Sequence, residues 1–434
     1  VVQTSIETEP LTNYNILVLD QALANRSSLT FTNTNVWRAG SFYDANVSAL
    51  NFNVNTANND YNINGKGILS AQLDASNTLG HNLNLNIQKQ RGSLIGGLGY
   101  LEESDTYDPN DLGFNYNNNR RVFEASMAYR DFEPQWKKLM KWSVNASFSQ
   151  TYLYNPSVFT SNMASLNFFT LTYKFNAFGV NGGATLKPTQ DYFEPRTDGA
   201  VFTIPQFYFF NTWFSTNYQR KVAIDAGGSF YQYIGNPWKQ YAYNFSPRLR
   251  LSDAIFLIYS FEKELQYNNL GYAIPFATPA MSYQGILFGR RNRNTTIQAI
   301  ALDYIMTNRM SLSLRLRHYR STLQYESFSL LQEDGSLSLL PDFNGLTTEG
   351  KSAYDINYNA FTIDLVYRWV FMPGSEINIV WKNSVFASND AVSVAYWQDL
   401  SSTLQTNALN SFSFKLIYWL DAQQLSKGRS ILPR

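Results

Sequence analysis

Cysteine is absent from this chain of 434 residues, and neither positive nor negative charge is in excess. Without cysteine the chain forms no disulfide and offers no thiolate nucleophile or thiolate metal ligand, and the redox compartment stays open. Lys and Arg number 34 and Asp and Glu 33, which gives a net charge of +1. No bulk electrostatic signature therefore points to nucleic acid or to an anionic surface.

Long hydrophobic runs are also missing. No run approaches the roughly 18 consecutive apolar residues of a transmembrane helix, and the mean hydropathy is −0.29. Aromatic residues, in contrast, are abundant, with 29 Tyr, 31 Phe and 9 Trp. Aromatic rings with a polar tip suit a membrane–water interface.

Apolar and polar side chains alternate over many segments of about ten residues. In the segment 81–88, Leu83, Leu85 and Ile87 alternate with asparagines. Successive residues of a strand point to opposite faces, so each such segment is a strand with one apolar and one polar face. A sheet built from many of them separates oil from water, and the pattern predicts an all-β fold, a transmembrane antiparallel β-barrel of the outer-membrane type.

The sequence predicts about 19 strands, within a range of roughly 18–20. Their approximate bounds are 12–22, 27–37, 46–56, 61–74, 80–90, 93–101, 119–131, 137–154, 158–176, 178–192, 205–219, 220–233, 239–251, 252–266, 294–306, 311–325, 358–371, 375–386 and 410–420. The last strand is rich in aromatic residues and resembles the assembly signal of outer-membrane barrels.

Short and long connections alternate between these strands. The long polar connections are 102–118, 188–204, 267–292, 331–350 and 387–408, with short turns such as 307–309 and 372–374 between them. Short periplasmic turns and long extracellular loops are typical of outer-membrane barrels.

An odd strand number is unexpected, because bacterial single-chain barrels have even numbers. If the C-terminus is periplasmic, residues 1–11 lie outside the cell. Either one strand is misassigned or the chain is the later part of a larger barrel, and we favour the second. Export also requires a signal that Val1–Glu7 lacks, so we expect upstream residues to have been removed. We expect 1–434 to form one barrel domain that lacks upstream strands and an N-terminal domain.

Several short sequence segments resemble those of a known protein family. They are Thr12–Val18 with Asp20–Gln21, Thr32–Val36, Tyr43–Asn46, Tyr107–Phe114, Phe288–Thr295 and Tyr367–Ser375. Together they resemble an uncharacterised family of Bacteroidota outer-membrane proteins across nearly the whole chain. The resemblance implies a domain of unknown function, thought to be a barrel, that follows an N-terminal carbohydrate-binding-like domain. The family has no settled activity or catalytic residues, and this chain lacks the sugar-binding part.

Histidine is the residue on which a barrel hydrolase would depend, and the chain has two. His81 shares its parity with Leu83, and His318 shares its parity with Leu316. Both are predicted on the lipid-side face above the bilayer, as belt or rim residues, and no catalytic triad is available in the lumen.

Parity places a mixed set of charges on the opposite face. The predicted lumen-facing residues are Arg248, Arg250, Arg315, Arg317, Arg368, Lys174, Lys382, Lys415, Glu124, Asp225, Glu262, Glu264, Asp303 and Asp364. Pores selective for one sign of charge carry a cluster of that sign. The mixture favours a salt-bridge network over a hydrated path for polar solutes, and both alternatives stay open.

An acidic loop at 102–111 contains Asp105, Asp108 and Asp111. Carboxylate oxygens are ligands for Ca²⁺, but the spacing fits no EF-hand loop, so a solvated loop is the favoured interpretation. We expect no other metal site and no cofactor. Aromatic clusters such as 207–214 favour a membrane girdle over a sugar-stacking surface.

The leading functional hypothesis is a channel or transport-type barrel in the bacterial outer membrane, for polar solutes such as oligosaccharides. The alternative is a structural or accessory barrel that docks surface lipoproteins or belongs to a larger outer-membrane complex. The expected partners are outer-membrane lipids including lipopolysaccharide, surface lipoproteins or other subunits, and not nucleic acid. We expect no enzymatic activity.

Overall fold

The regular structure of the computed structural model is almost entirely β-strand. The structure describes residues 9–281 and 284–420. By its internal contacts the chain divides into two compact units, which are described separately below. The first consists of Val1–Tyr173, Gly179–Phe193 and Thr197–Phe210, and the second of Lys174–Phe178, Glu194–Arg196 and Asn211–Arg434.

In the first unit nine strands follow one another as antiparallel neighbours. They are β1 (Thr12–Leu23), β2 (Ser27–Arg38), β3 (Asp44–Asn55), β4 (Tyr61–Leu73), β5 (Thr78–Lys89), β6 (Leu94–Glu103), β7 (Arg120–Asp131), β8 (Leu139–Tyr152) and β9 (Phe159–Thr172). A 3-10 turn, Ala24–Arg26, joins β1 to β2. Next come β10 (Ala177–Ala184), the short antiparallel pair β11 (Thr189–Asp191) and β12 (Phe202–Ile204), and β13 (Phe207–Ser215).

The second unit continues the up-and-down order. Its elements are β14 (Val222–Tyr233), β15 (Lys239–Arg250), β16 (Ile255–Tyr272), β17 (Leu287–Thr307), β18 (Met310–Leu331), β19 (Leu337–Leu339), β20 (Ile356–Met372), β21 (Ser375–Asn389), helix α1 (Tyr396–Leu404) and β22 (Leu409–Ile417). Three of the 22 strands have only three residues, so the described residues form 19 long strands, the number that the sequence predicts. No helix in the described part is long and apolar enough to cross a membrane.

Each unit has a polar and an apolar face. In the first, Leu83, Leu85 and Ile87 of β5 form part of the apolar face, and the asparagines between them point to the polar face. In the second, the apolar face carries Leu312, Leu314 and Leu316 of β18 with Ile363 and Leu365 of β20. We call these two surfaces the polar face and the apolar face of each unit.

The usual distribution of apolar and polar residues is inverted. Phe412 and Phe414 on the apolar face are 76% and 65% exposed, whereas Asn82, Asn357 and Asn359 are fully buried or nearly so. A large contiguous apolar surface of this kind needs a non-aqueous partner. The all-β fold class predicted from the sequence is therefore confirmed: these are antiparallel strands with the two-faced character of an outer-membrane barrel sheet.

The long connections of the second unit share one end of its strands. They comprise 273–286, 332–355 and 390–408, whereas the opposite end carries the tight turns 308–309 and 373–374. Since consecutive strands are antiparallel, this end is the same for all three long loops. We call it the loop end.

The predicted strand bounds were too short at the loop end. The sequence predicts that strands end at 266 and restart at 294, whereas β16 and β17 extend to Tyr272 and back to Leu287. The register shifts between Gln266 and Asn269, where a bulge interrupts the alternation on which the prediction depended. Of the N-terminal residues 1–11 that the sequence places outside the cell, 1–8 lie outside the described residues.

The loops of the second unit pack into a core of their own. The buried members are Ala273, Leu287, Phe328, Phe343, Ala353 and Tyr354. Backbone hydrogen bonds join the loops, from Phe276 N–H to the Ala353 carbonyl at 2.6 Å and from Ala280 N–H to the Leu346 carbonyl at 2.7 Å. We call this set the loop core, and it makes the two loops a single ordered body.

Truncation of Tyr354 tests the loop core. The side chain is completely buried against Phe328, with ring centroids 4.7 Å apart. We expect Tyr354→Ala to destabilise the loops by about 3 kcal/mol, since large-to-small changes leave a cavity. Protease cleavage within 332–355 should accelerate while the strands stay folded. Tyr116→Ala, at a loop residue that is 84% exposed, is the control. Equal cleavage rates in the two variants would contradict a packed core.

Acidification should strengthen this packing through Asp355. Burial raises the pKa of the Asp355 carboxyl, while the N–H that Tyr325 donates to it at 2.8 Å acts in the opposite direction. The ionised form therefore costs stability at neutral pH. That cost disappears as the pH falls through the raised pKa, and it is gone below the unfolded value of about 4. Hydrogen exchange of 332–355, corrected for intrinsic rates, should slow across this window.

Two variants isolate the effect. Asp355→Asn keeps an oxygen for the Tyr325 N–H and should flatten the pH dependence. Asp334→Asn is the control of opposite sign, because hydrogen bonds from Ser336 lower the pKa of Asp334. The contribution of Asp334 to stability is therefore present above its unfolded pKa and is lost as the pH falls. An unchanged pH dependence in Asp355→Asn would refute the assignment.

Candidate functional site

The polar face of the first unit is built mainly from neutral side chains. Its members on β2 to β8 include Ser28, Thr30, Thr32, Thr34, Asn51, Asn53, Asn55, Asn62, Asn64, Asn82, Asn84, Asn86, Gln88, Ser126, Ser147 and Ser149. The charged side chains among them include Lys66, Glu124 and the ion pair of Glu103 with Arg120. Amide and hydroxyl groups both donate and accept hydrogen bonds, so this surface is polar without a net field.

Asn62 is the centre of this amide surface. It is 2% exposed, and its Nδ2 group lies 2.7 Å from Asn53 Oδ1 and 2.9 Å from Asn55 Oδ1. Its own Oδ1 accepts a hydrogen bond of 2.6 Å from Asn64. The chain continues to Asn86, whose Nδ2 donates to Asn64 Oδ1 at 3.2 Å. Five neighbouring asparagines thus have their side chains oriented by one another.

Glycines open a hollow beside Glu124 on the same face. The cavity is about 280 Å³ and is lined by Gln88, Gly97 and Gly99 among others. A Cβ at Gly97 would lie 3.0 Å from Gln88 Cγ, and one at Gly99 would lie 3.0 Å from Asn86 Oδ1. The absence of these side chains exposes the Glu124 carboxylate, which forms no ion pair with any of the described residues.

The polar face of the second unit is ionic. Cross-strand pairing places all of the predicted charges on its strands on one face. They are Arg248, Arg250, Arg315, Arg317, Arg368, Lys382, Lys415, Asp225, Glu262, Glu264, Asp303 and Asp364. That this face lines a lumen remains a prediction. Lys174 differs from the prediction, because it lies in the turn after β9 and not on a strand face.

Half of these twelve charges form ion pairs with described residues of opposite sign. Asp225 accepts from Arg248 Nε at 2.9 Å, and also from the hydroxyls of Ser215 and Tyr218 at 2.6 Å each. Arg368 binds one oxygen of Glu376 with both Nε and Nη2, at 2.8 and 2.5 Å.

The remaining charges have weaker contacts. Lys382 lies 3.9 Å from Asp364, and Asp303 accepts from the Ser313 hydroxyl at 2.7 Å. Arg250 stacks over the ring of Phe256 at 5.3 Å. Arg315 and Arg317 are exposed and form no ion pair with the part of the chain that the structure describes.

A cavity of about 500 Å³ lies along this face. Its lining includes Asn244, Glu262, Glu264, Arg293 and Tyr319. The Glu264 carboxylate accepts from Arg293 Nη2 at 2.5 Å. It also accepts from Gln240 of the neighbouring strand β15 and from Gln266 of its own strand, at 3.1 Å each. A carboxylate, a guanidinium, amides and a tyrosine ring thus converge on one hollow, a set that can bind a polar solute by hydrogen bonds.

The three acidic loop residues do not converge. Asp105 accepts from Asn155 at 2.8 Å, Asp108 from Gln72 at 3.0 Å, and Asp111 from Arg38 at 2.5 Å. Among the described residues no three Asp, Glu or His side chains form a group that could hold a metal ion. The three carboxylates tie the loop 104–119 to separate neighbours, and calcium binding by this loop stays a prediction.

Asp111 also binds a tyrosine of the adjoining loop. The Tyr43 hydroxyl donates to it at 3.0 Å. Burial raises the pKa of Tyr43, and the hydrogen bond to Asp111 raises it further, so the hydroxyl stays protonated at neutral pH.

His81 lies on the apolar side of β5, beyond Leu83 and towards the long loop 104–119. Its Nε2 is 3.1 Å from a Glu102 oxygen, and the other Glu102 oxygen accepts from Arg121 at 2.8 Å. The ring meets that of Tyr154 edge-on at 5.3 Å. These contacts join β5, β6, β7 and the residues that follow β8.

His318 has the parity of Leu316, but it is not at an open rim. It is 4% exposed because α1 covers it, and its Nδ1 lies 2.6 Å from the Tyr396 hydroxyl. Next to it Arg320 donates to Asp399 at 2.6 Å. Tyr396, Asp399 and the helix that carries them are not among the residues and elements predicted from the sequence. The segment 396–404 is long enough for a short helix but contains few residues that signal a helix start or end. Its one acidic residue, in the first turn, is the sequence feature that could have indicated the helix.

These observations define an all-β protein with the sheet type of an outer-membrane barrel. A family model described as Domain of unknown function (DUF5916) matches residues 2–429, and the chain belongs to this family. No curated protein sequence matches the chain.

Solved structures share a general likeness at low identity. The siderophore receptor PirA from Acinetobacter baumannii has a TM-score of 0.44 and 10% identity, with 95% of this chain and 74% of that chain covered. The outer-membrane protein OmpT of Vibrio cholerae has a TM-score of 0.32 and 12% identity, with coverages of 84% and 100%. The fold described above rests on the strand pairing within each unit.

Removal of one amide tests the polar face of the first unit. Asn62→Ala leaves Asn53 and Asn55 without their donor, and we expect a loss of about 1–3 kcal/mol in unfolding free energy. Asn13→Ala, at an exposed residue that contacts only Asn15 in this way, is the control. Urea unfolding in detergent, followed by tryptophan fluorescence, measures both. Equal midpoints would show that the amide network contributes nothing to stability.

Proposed function

We propose that the protein is a channel or transport-type β-barrel of the bacterial outer membrane that conducts uncharged polar solutes such as oligosaccharides. The neutral amide and hydroxyl surface of the first unit is the observation that carries the proposal. Sugars offer hydroxyls that both donate and accept, and Asn and Gln side chains match them in both roles. In keeping with the family resemblance, we propose a Bacteroidota-type outer membrane.

The apolar face supports the membrane location. Leu83, Leu85 and Ile87 are 41–47% exposed, and Phe412 and Phe414 more so. Exposed apolar surface over many strands costs free energy in water, at about 25 cal/mol per Å², and lipid removes that cost.

The charges of the second unit support weak selectivity. Arg248 with Asp225, Arg368 with Glu376, and Arg293 with Glu264 are close ion pairs. A paired set presents little net charge to a passing ion, whereas selective pores expose a ring of one sign. The arrangement therefore fits neutral solutes better than a dedicated anion or cation path.

An accessory role is the second candidate, and the loop core favours it. The described residues of the loops 273–286 and 332–355 pack against one another, and a fixed outer surface is what a docking lipoprotein needs. Purification from native membranes separates the two candidates. A stoichiometric lipoprotein that remains bound, with no flux through the isolated barrel, would favour the accessory role.

Reconstitution of the full chain into planar bilayers tests the channel. We expect single-channel steps and, in liposome swelling, uptake of uncharged sugars. Glu124→Lys reverses the exposed, unpaired carboxylate of the polar face, and we expect a shift of ion preference towards anions, measured as reversal potential in a salt gradient. Glu133→Lys, in the exposed turn after β7, is the matched control. Absence of current from a folded, inserted protein would refute the channel.

A further inference from the structure

Helix α1 is inverted with respect to a normal surface helix. The residues that it buries are Asp399 and Thr403, whereas Trp397 is 72% and Leu404 51% exposed. Trp397, Leu400 and Leu404 follow the spacing i, i+3, i+7 and so form one apolar stripe along the helix. The helix thus turns Asp399 and Thr403 towards the protein, and the apolar stripe lies on its outward side together with the exposed Gln398, Ser401 and Ser402.

The polar side is held by a dense set of contacts. The Asp399 carboxylate accepts from Arg320 Nε at 2.6 Å, from Asn357 Nδ2 at 2.7 Å and from Asn359 Nδ2 at 3.1 Å. The side chains of Arg320 and Asp399 are only 9% and 5% exposed. Tyr396 adds its hydrogen bond to His318. This docking fixes which side of α1 points outward.

The docking surface belongs to the apolar face of the sheet. On β18, His318 and Arg320 continue the row of Leu312, Leu314 and Leu316. Strand residues advance about 3.3 Å each, so His318 lies only about 7 Å beyond Leu316 towards the loop end. The helix therefore sits directly at the border of the apolar face.

We propose that α1 is an interfacial membrane helix whose Trp397–Leu400–Leu404 stripe rests in the lipid at the outer boundary of the bilayer. The inference depends on the proposed membrane embedding of the apolar face. Its stripe is continuous with that face, and Asp399, the one charged residue of 396–404, is buried. Trp prefers the depth of lipid headgroups, and interfacial helices place such a stripe into that layer.

Helix α1 also changes which groups of the protein contact the lipid. Without α1, the polar groups of His318, Arg320, Asn357 and Asn359 would face the bilayer border on the apolar side of the sheet. A guanidinium at that position is unfavourable in lipid. With α1 in place, the polar groups are paired beneath it and an apolar stripe takes their place. The lipid-facing surface is thus extended towards the loop end by about one helix diameter, roughly 10 Å.

Site-directed spin labelling tests the proposal, because the chain has no native cysteine. Trp397→Cys is labelled in the full chain and reconstituted in vesicles of phosphatidylethanolamine and phosphatidylglycerol. Phe414→Cys on the apolar face of β22 is the membrane control, and Glu349→Cys in the loop 332–355 is the aqueous control. Accessibility to oxygen, which partitions into lipid, is compared with accessibility to a water-soluble nickel chelate.

The expected result is oxygen preference at residue 397, close to that at 414 and several-fold above that at 349. Nickel preference at 397 together with oxygen preference at 414 would overturn the proposal and leave the membrane embedding intact. Exclusion of both reagents at 397 would also overturn it, since a second copy or a partner protein would then cover the stripe. Nickel preference at 414 would refute the embedding itself and, with it, the role of α1.

A second variant tests the docking. Asp399→Asn in the labelled Trp397→Cys background removes the charge that Arg320 binds. We expect a sharper, more mobile spectrum and a loss of oxygen preference at 397, with the label at 414 unchanged. Unchanged spectra at both positions would show that the ion pair does not position the helix. Heat-modified migration in gels confirms that each variant has folded.

Discussion

A strand offers its side chains only two directions, and the hydrogen bonds between neighbouring strands decide which residues share one. This constraint governs the whole protein. Asp364 and Lys382 meet because they are direct cross-strand partners, and Asp225 reaches Arg248 along a diagonal of the same face. A slip of one residue would exchange every leucine with a charged or amide neighbour. The register is therefore enforced by both faces at once.

That constraint is also why the strands and their faces could be predicted from the sequence. A period of two is local information, because each segment shows it without reference to the rest of the chain, as 81–88 does. The 19 long strands and the faces of the charges on them could therefore be predicted segment by segment. The predicted family, a domain of unknown function, is also the family that the chain belongs to.

What could not be predicted is non-local. Asp111 binds Arg38 across 73 positions and Asp399 binds Arg320 across 79, and no short pattern encodes such contacts. The bulge near Gln266 broke the alternation and concealed the ends of two strands. The helix over His318 buries its polar side, so an expectation based on apolar periodicity assigns its faces the wrong way round.

The polar faces of the two units differ in how they satisfy their groups. In the first, amides such as Asn62 and Asn64 bind one another and present a surface without charge. In the second, several cations and anions form close pairs, as Arg368 does with Glu376 and Arg293 with Glu264. The two solutions differ in their response to salt, since ion pairs at exposed positions are screened and amide contacts are not.

The loop core has a consequence for the order in which the molecule is made. Its members come from the connections β16–β17 and β18–β20 and from the ends of β17 and β18 beside them, so Leu287 and Tyr354 must both be on the same side of the bilayer before they can pack. In an outer-membrane protein, each loop would have to cross the membrane as an open chain. Closure of the core would then follow translocation, and its packing would act as a ratchet, since withdrawal of either hairpin would first require the folded loops to come apart.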